Sequence, residues 1–314
     1  MMLARVADSL YWIGRYIERA EHMCRLSDVM LTATLDNSES AATVTKIALA
    51  AMEDRAPLGE NETPMDAVRE VLFHREDLSS VVSSLALARE NARQVRDQIT
   101  TELWERLNLL YLRTTDPSAE AAFAQAPTGF LHGIIADLHL FKGAADSTMS
   151  HGEGWRFLLL GVHLERAQRI AYLLDVCFGD PAAPEALTEH LAQMAVLRMA
   201  CALEPYLRVY TAEINPLYVL QFLLFDQEFP RSLRFSAARI KDYLDRLAPL
   251  SRATRRGGPE RLAGRLKARL EFADLDETLA PGAILSGVVA ECSRIHHAVY
   301  ETFIDYPLEQ RLPA

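Results

Sequence analysis

The sequence has few cysteines, and none lies close to another. They lack the paired spacing that zinc sites and redox motifs require: Cys24, Cys177, Cys201 and Cys292. We therefore expect reduced thiols in the core, no metal site and no cofactor. With 314 residues, half of them hydrophobic, the chain can bury a large core without disulfides or metals.

The sequence also lacks long apolar runs and an excess of basic over acidic residues. The first 20 residues are interrupted by charged side chains, unlike a signal peptide, and the apolar runs at 157–162 and 222–225 are far shorter than a membrane span. A formal net charge of −10 argues against general nucleic-acid binding. These features predict a cytoplasmic protein with no membrane contact. The basic segment 252–269 is expected to form a solvated helix face, with contact to an acidic partner or phosphate as the alternative.

The common enzyme signatures are missing as well. There is no Gly-rich phosphate loop, no G-x-S-x-G turn and no H-E-x-x-H helix. A di-iron bundle needs Glu-x-x-His on two helices, whereas Glu18 and His22 lie four residues apart, as do Glu70 and His74. Metal catalysis is therefore disfavoured.

Helical periodicity runs through the chain, and strand signals are nearly absent. Near the start, Leu10, Ile13 and Ile17 share an apolar stripe, while Arg15 and His22 belong to the expected polar side. Thr63-Pro64 and Asn215-Pro216 have the form of an N-cap followed by proline at the first helical position. The pattern predicts an all-α bundle of roughly eight to eleven helices, one of them long, over about residues 79–113.

The chain also resembles itself. Seven positions recur 147 residues later: Gly14, Glu18, Arg19, Ala20, Leu26, Asp28 and Val29 match Gly161, Glu165, Arg166, Ala167, Leu173, Asp175 and Val176. Further matches follow in the same order, from Pro64 to Pro216 and from Gly133 to Gly287. We predict a tandem duplication with units 1–150 and 151–314, packed about a pseudo-twofold axis into one continuous body.

Four segments carry a resemblance to a known family: 3–21 (LARVADSLYWIGRYIERAE), 153–167 (EGWRFLLLGVHLERA), 88–108 and 215–232. Together they resemble the bacterial alpha-E family, a helical domain named for its Glu-Arg (ER) motif. The resemblance implies a place in a peptide synthesis or modification system, beside circularly permuted ATP-grasp ligases, a transglutaminase-like protein and an NTN-type peptidase. The second copy departs from the pattern, with Val162 and His163 after Gly161 where Arg15 follows Gly14.

The ER residues can be placed by helical geometry. Glu18 and Arg19 point about 100° apart, so they must serve different partners. A glycine stands four residues before each glutamate, which predicts a crowded helix crossing beside Glu18 and Glu165. A charge there must be paired, and the candidate partners are Arg89, Arg93, Arg96 and Arg156. Two interpretations remain: Glu18, Arg19, Glu165 and Arg166 form buried structural ion pairs, or they bind a charged ligand.

A second set of charged residues lies near the middle of the first unit. Arg89, Arg93 and Arg96 share one helical face with Glu90 nearby, an array that suits carboxylate or phosphate unless it forms solvated salt bridges. Trp104 and Trp155 flank charged residues and are candidates for stacking on an arginine or a ligand, with core packing as the alternative.

Residues and resemblance together predict an accessory or scaffold component of an ATP-grasp-associated peptide or amide-bond forming system, which binds its ligase partner or the peptide. The alternatives are an enzyme with a Glu/Arg active site between the two ER helices and a ligand-binding sensor module. The oligomeric state stays open.

Overall fold

A computed structural model describes residues 2–35, 40–52, 57–179, 190–211, 213–248, 258–273 and 281–305. In these ranges the chain forms fourteen α-helices and no strand, and a short π-helix at Tyr300–Ile304 follows the last α-helix. The all-α prediction is confirmed, with more helices than expected. Their bounds are α1 Ala4–Leu35, α2 Ser40–Ala51, α3 Pro64–Phe73, α4 Val81–Gln94, α5 Thr101–Thr115, α6 Ala119–Gln125, α7 Pro127–Thr148, α8 Glu153–Phe178, α9 His190–Met199, α10 Leu203–Tyr210, α11 Pro216–Phe225, α12 Leu233–Leu247, α13 Pro259–Glu271 and α14 Pro281–Val299.

Several helices begin where the sequence predicts. Thr63 caps α3 by accepting a hydrogen bond from the Asp66 amide, and Asn215 caps α11 by accepting one from Leu217, each followed by proline. Ser80 and Ser232 cap α4 and α12 with the same geometry. These caps satisfy amides that the helices themselves leave unpaired.

The predicted long helix over 79–113 is wrong. Two helices, α4 and α5, cover that stretch, with a turn between them. The side chain of Thr100 accepts a hydrogen bond from the Leu103 amide and so starts a new helix, while the Val95 amide bonds to Ala92 at the end of α4. A local cap therefore outweighs continuous helical periodicity here.

The two longest helices, α1 and α8, cross at the centre of the fold. Helix α1 also packs against α4 and α7, and α8 packs against α12 and α14. Because α8 covers the expected polar side of α1, Arg15 and His22 are buried, contrary to the simple amphipathic prediction. In the sequence repeat α4 matches α12 and α7 matches α14, so α1 and α8 pack against corresponding helices of their own units. Superposition of the two units about a twofold axis stays a prediction.

The remaining sequence features fall on the surface or in the core. All four cysteines are free thiols, with Cys24, Cys177 and Cys292 buried and Cys201 half-buried. The described part of the basic segment lies in α13, which buries Ala263, Leu266 and Leu270 and exposes arginines on its other side. Residues 252–257 lie outside the described ranges. Among the described helices, none combines the length and the apolarity that crossing a bilayer demands.

Candidate functional site

The two ER motifs meet at the crossing of α1 and α8, as the glycine spacing predicts. A methyl group on Gly14 would overlap the backbone carbonyl of Leu158, and one on Gly161 would overlap the backbone carbonyl of Tyr11. Neither obstacle is a flexible side chain, so both positions need glycine for the helices to approach this closely. The crossing places Glu18 beside α8 and Glu165 beside α1.

Each ER motif pairs with the other one reciprocally. Nε and Nη2 of Arg166 lie 2.7 and 2.8 Å from the two carboxylate oxygens of Glu18. Nε and Nη2 of Arg19 lie 2.8 and 3.3 Å from those of Glu165. The expectation that the glutamate and the arginine of one motif serve different partners is confirmed. Both contacts are bidentate, which is the strong form of an Arg–carboxylate pair.

Further cations surround each glutamate. Glu18 also contacts Lys142 of α7 and, at 3.3 Å, Arg231 from the turn before α12. Glu165 also accepts hydrogen bonds from Arg15 at 2.6 Å and Arg169 at 2.9 Å. All of these cations except Arg231 lie within α-helices, and Arg231 directly precedes Ser232, the N-cap of α12.

Glu21 shares two cations, Lys142 and Arg231, with Glu18 and so extends the cluster on that side. It pairs with Lys142, accepts a hydrogen bond from Arg231 at 2.5 Å and another from Arg25 at 2.8 Å. We call Glu18, Glu21 and Glu165 with their seven cationic neighbours the ER network. Those neighbours are Arg15, Arg19, Arg25, Lys142, Arg166, Arg169 and Arg231.

The carboxylates of the ER network stay ionised despite complete burial. The exposed fraction is 0% for both Glu18 and Glu165. Burial raises the pKa of each, but Arg166 and its neighbours outweigh it at Glu18, as Arg15 and its neighbours do at Glu165, so that both pKa values end below the usual range. A general acid must hold a proton near neutral pH, which these groups do not.

Two histidines beside the network, His22 and His296, have lowered pKa values. Burial, with Arg169 and Arg231 close by, lowers the pKa of His22 to about 3. On the other side of the crossing, Tyr11 shares a 2.8 Å hydrogen bond with Nδ1 of His296, whose pKa burial and Arg15 lower to about 4. Neither His22 nor His296 therefore adds positive charge to the network near neutral pH.

The predicted partners of the glutamates are wrong. Arg89 donates to Asn108 at 2.7 Å, and Arg93 pairs with Glu90 on the surface of α4. Arg96 lies over the ring of Trp104 at 4.8 Å. These side chains face α5 or solvent, away from the crossing.

Two other predicted site residues, Trp155 and Arg156, lie at the start of α8 and away from the two glutamates. Arg156 precedes Glu165 by nine residues, or roughly 14 Å along the helix axis, and cannot reach it. Trp155 stacks on His151 with ring centres 4.0 Å apart and packs against Tyr243. The network therefore brings together Glu18, Arg19, Glu165 and Arg166 alone among the predicted site residues.

Sequence reasoning missed Lys142 and Arg231 as partners of Glu18, and Arg15 and Arg169 as partners of Glu165. One signal for Lys142 exists: it lies 154 residues before His296, the same displacement as between Gly133 and Gly287, and both side chains point at the crossing. Among the residues that the structure describes, no three His, Cys, Asp or Glu side chains are grouped to hold a metal ion.

Comparison with known proteins agrees with the helical ER architecture. A family model for a predicted alpha-helical domain with a conserved ER motif matches residues 2–304. The chain is 27% identical to uncharacterized proteins of Mycobacterium bovis and Mycobacterium tuberculosis, over 96% of its own length and 37% of theirs. It thus spans little more than a third of these relatives. No solved structure matches significantly.

Proposed function

The chain belongs to the Alpha-E family, and we propose that it is a non-enzymatic accessory component of an ATP-grasp-associated peptide or amide-bond forming system. In this proposal it binds the ligase partner or the peptide in the cytoplasm and holds it for the reaction. The system and its ATP-grasp and transglutaminase-like members come from the family resemblance.

The proposal rests mainly on one observation, the complete burial of Glu18 and Glu165 and their pairing with cations. An active site between the ER helices would need at least one of these carboxylates to contact substrate. Both are fully buried and already paired with three or more cations each. The ER network therefore favours a role in fixing the crossing of α1 and α8, and leaves binding to other surfaces.

One such surface is apolar. A pocket of about 440 Å³ lies beside α2, and its lining includes Ala42, Leu49, Ala50 and Leu58, with Lys46 at its edge. Ala42 and Ala50 are exposed, two helical turns apart on the same face. An open apolar pocket on a rigid bundle is the kind of surface that a protein partner covers.

Co-purification tests this function. The tagged chain, expressed in its native host, should retain an ATP-grasp ligase that mass spectrometry identifies. Ala42→Glu and Ala50→Glu should each reduce the recovered ligase at least tenfold, because a charge would be desolvated in the interface. Ala124→Glu, an exposed alanine on α6 away from the pocket, is the matched control. The proposal fails if no ligase is retained, and the assigned surface is wrong if the three variants behave alike.

A further inference from the structure

A second pocket lies where helices of the two predicted units meet. It encloses about 400 Å³ between α1, α2, α9 and α10, a volume typical of small-ligand sites. Three charged side chains line it: Asp28 from α1, Arg198 from α9 and Glu204 from α10. It is separate from both the ER network and the apolar pocket beside α2.

The charged side chains of this pocket are only partly matched within the described part of the chain. Among the described residues, neither Arg198 nor Glu204 forms an ion pair, and both are exposed. Asp28 accepts a hydrogen bond from His132 at 3.0 Å through one oxygen, while its other oxygen has no partner in the described residues. A cation and two anions therefore face the same small space without neutralising each other.

The remaining lining is mostly apolar. Val29, Ala33 and Val44 form one wall, Leu191, Met194 and Ala195 the other, and Thr32 and Ser40 add hydroxyl groups. A purely anionic ligand would meet two carboxylates, and a purely cationic one would meet the guanidinium. A ligand with both charges and an apolar body satisfies all three features.

From this juxtaposition we propose that the pocket binds a free α-amino acid with an apolar side chain. The ligand carboxylate pairs with Arg198, the ammonium group faces Glu204 and Asp28, and the side chain contacts the apolar walls. The binding involves no covalent step. It is independent of the accessory role, since it requires neither a ligase nor the apolar pocket beside α2.

Titration calorimetry of the purified chain with L-leucine tests the proposal. We expect a dissociation constant of about 1 mM or tighter. Two analogues each lack one charge: 4-methylpentanoate has no ammonium group, and 3-methylbutylamine has no carboxylate. Each should bind at least tenfold more weakly than leucine, because one charge-assisted contact is lost.

Two variants separate the roles of the charges. Arg198→Gln should weaken the binding of leucine and of 4-methylpentanoate at least tenfold, and should leave the binding of 3-methylbutylamine unchanged or tighter. Glu204→Gln should weaken the binding of leucine and of 3-methylbutylamine and leave that of 4-methylpentanoate unchanged or tighter. Both positions are exposed, so the fold should persist, and the melting temperature verifies this. Arg208→Gln, an exposed arginine of α10 outside the pocket, controls for surface charge.

Three results would overturn the proposal. Leucine fails to bind at about 10 mM, ten times the expected dissociation constant; either analogue binds as tightly as leucine; or both pocket variants bind leucine as the Arg208→Gln control does. Ligase recovery in the co-purification experiment is measured without added amino acid, so the two proposals can fail separately.

Discussion

Substituting the crossing glycines tests the packing of α1 on α8. In Gly14→Ala the new methyl group would overlap the carbonyl of Leu158, and in Gly161→Ala it would overlap the carbonyl of Tyr11. Since backbone cannot rotate away as a side chain does, the helices must separate. Separation would lengthen the Arg166–Glu18 and Arg19–Glu165 contacts, which span the same crossing.

The magnitude follows from two opposing terms. Alanine is the better helix former by about 1 kcal/mol. Overpacking costs about 3 kcal/mol, the upper end of the usual range, because the obstacle is rigid. The net loss in the free energy of unfolding is about 2 kcal/mol, or roughly 3 °C in melting temperature for a chain of this size.

The control is Gly143→Ala in α7, where a methyl group meets nothing within 4 Å. That variant should gain up to about 1 kcal/mol from helix propensity alone. Urea unfolding and calorimetry of the three variants measure the difference. If Gly14→Ala and Gly161→Ala are as stable as Gly143→Ala, the close crossing does not exist in solution.

Three further outcomes are expected. Stability should fall as the pH drops from about 6.5 towards about 3, because burial lowers the pKa of both His22 and His163 in the folded state and both therefore take up protons on unfolding; for His22 alone the loss at pH 5 is about 2 kcal/mol relative to neutral pH. A flat melting temperature from pH 7 to pH 5 would contradict this. Reductant should leave the melting temperature unchanged, and native Cys177 and Cys292, whose pKa values burial raises to about 12, should resist alkylation; a large shift would reveal a disulfide. Ser80→Ala and Ser232→Ala should each cost about 1 kcal/mol in urea unfolding, and equal losses in Ser118→Ala, which removes no cap bond, would discount capping.

Local signals predicted the features that depend on few residues. Thr63-Pro64 and Asn215-Pro216 start helices because the cap and the proline act within one turn. The crossing at Gly14 and Gly161 was predictable because only a residue without Cβ allows such an approach. The 100° between adjacent helical residues predicted that the glutamate and arginine of one motif serve different partners, but it did not predict that the two motifs pair with each other.

The partners of the glutamates depended on tertiary arrangement and were mispredicted. Helical periodicity assigns a residue to a face, but it does not say which helix covers that face. Lys142 and Arg231 reach Glu18 because α7 and the turn before α12 pack beside α1, a juxtaposition with no local cause. The same limit explains the burial of Arg15 and the unforeseen pocket at Arg198, whose walls come from four helices.

We propose that the ER network holds the fold together and that binding occurs elsewhere. Glu165→Gln tests it, because the variant keeps the shape of the side chain but leaves Arg15, Arg19 and Arg169 around a neutral group. Uncompensated buried charge costs roughly 3 to 5 kcal/mol. The matched control is Glu90→Gln, which removes a surface pair with Arg93 and should leave the melting temperature unchanged.

The decisive measurement is the melting temperature of Glu165→Gln, taken beside its recovery of the ligase partner from the native host. We expect a drop of roughly 5 to 8 °C, with ligase recovery per folded molecule equal to that of the parent at a temperature where the variant is folded. A variant that melts with the parent but no longer retains the ligase would contradict a structural role and would place function in the ER network itself.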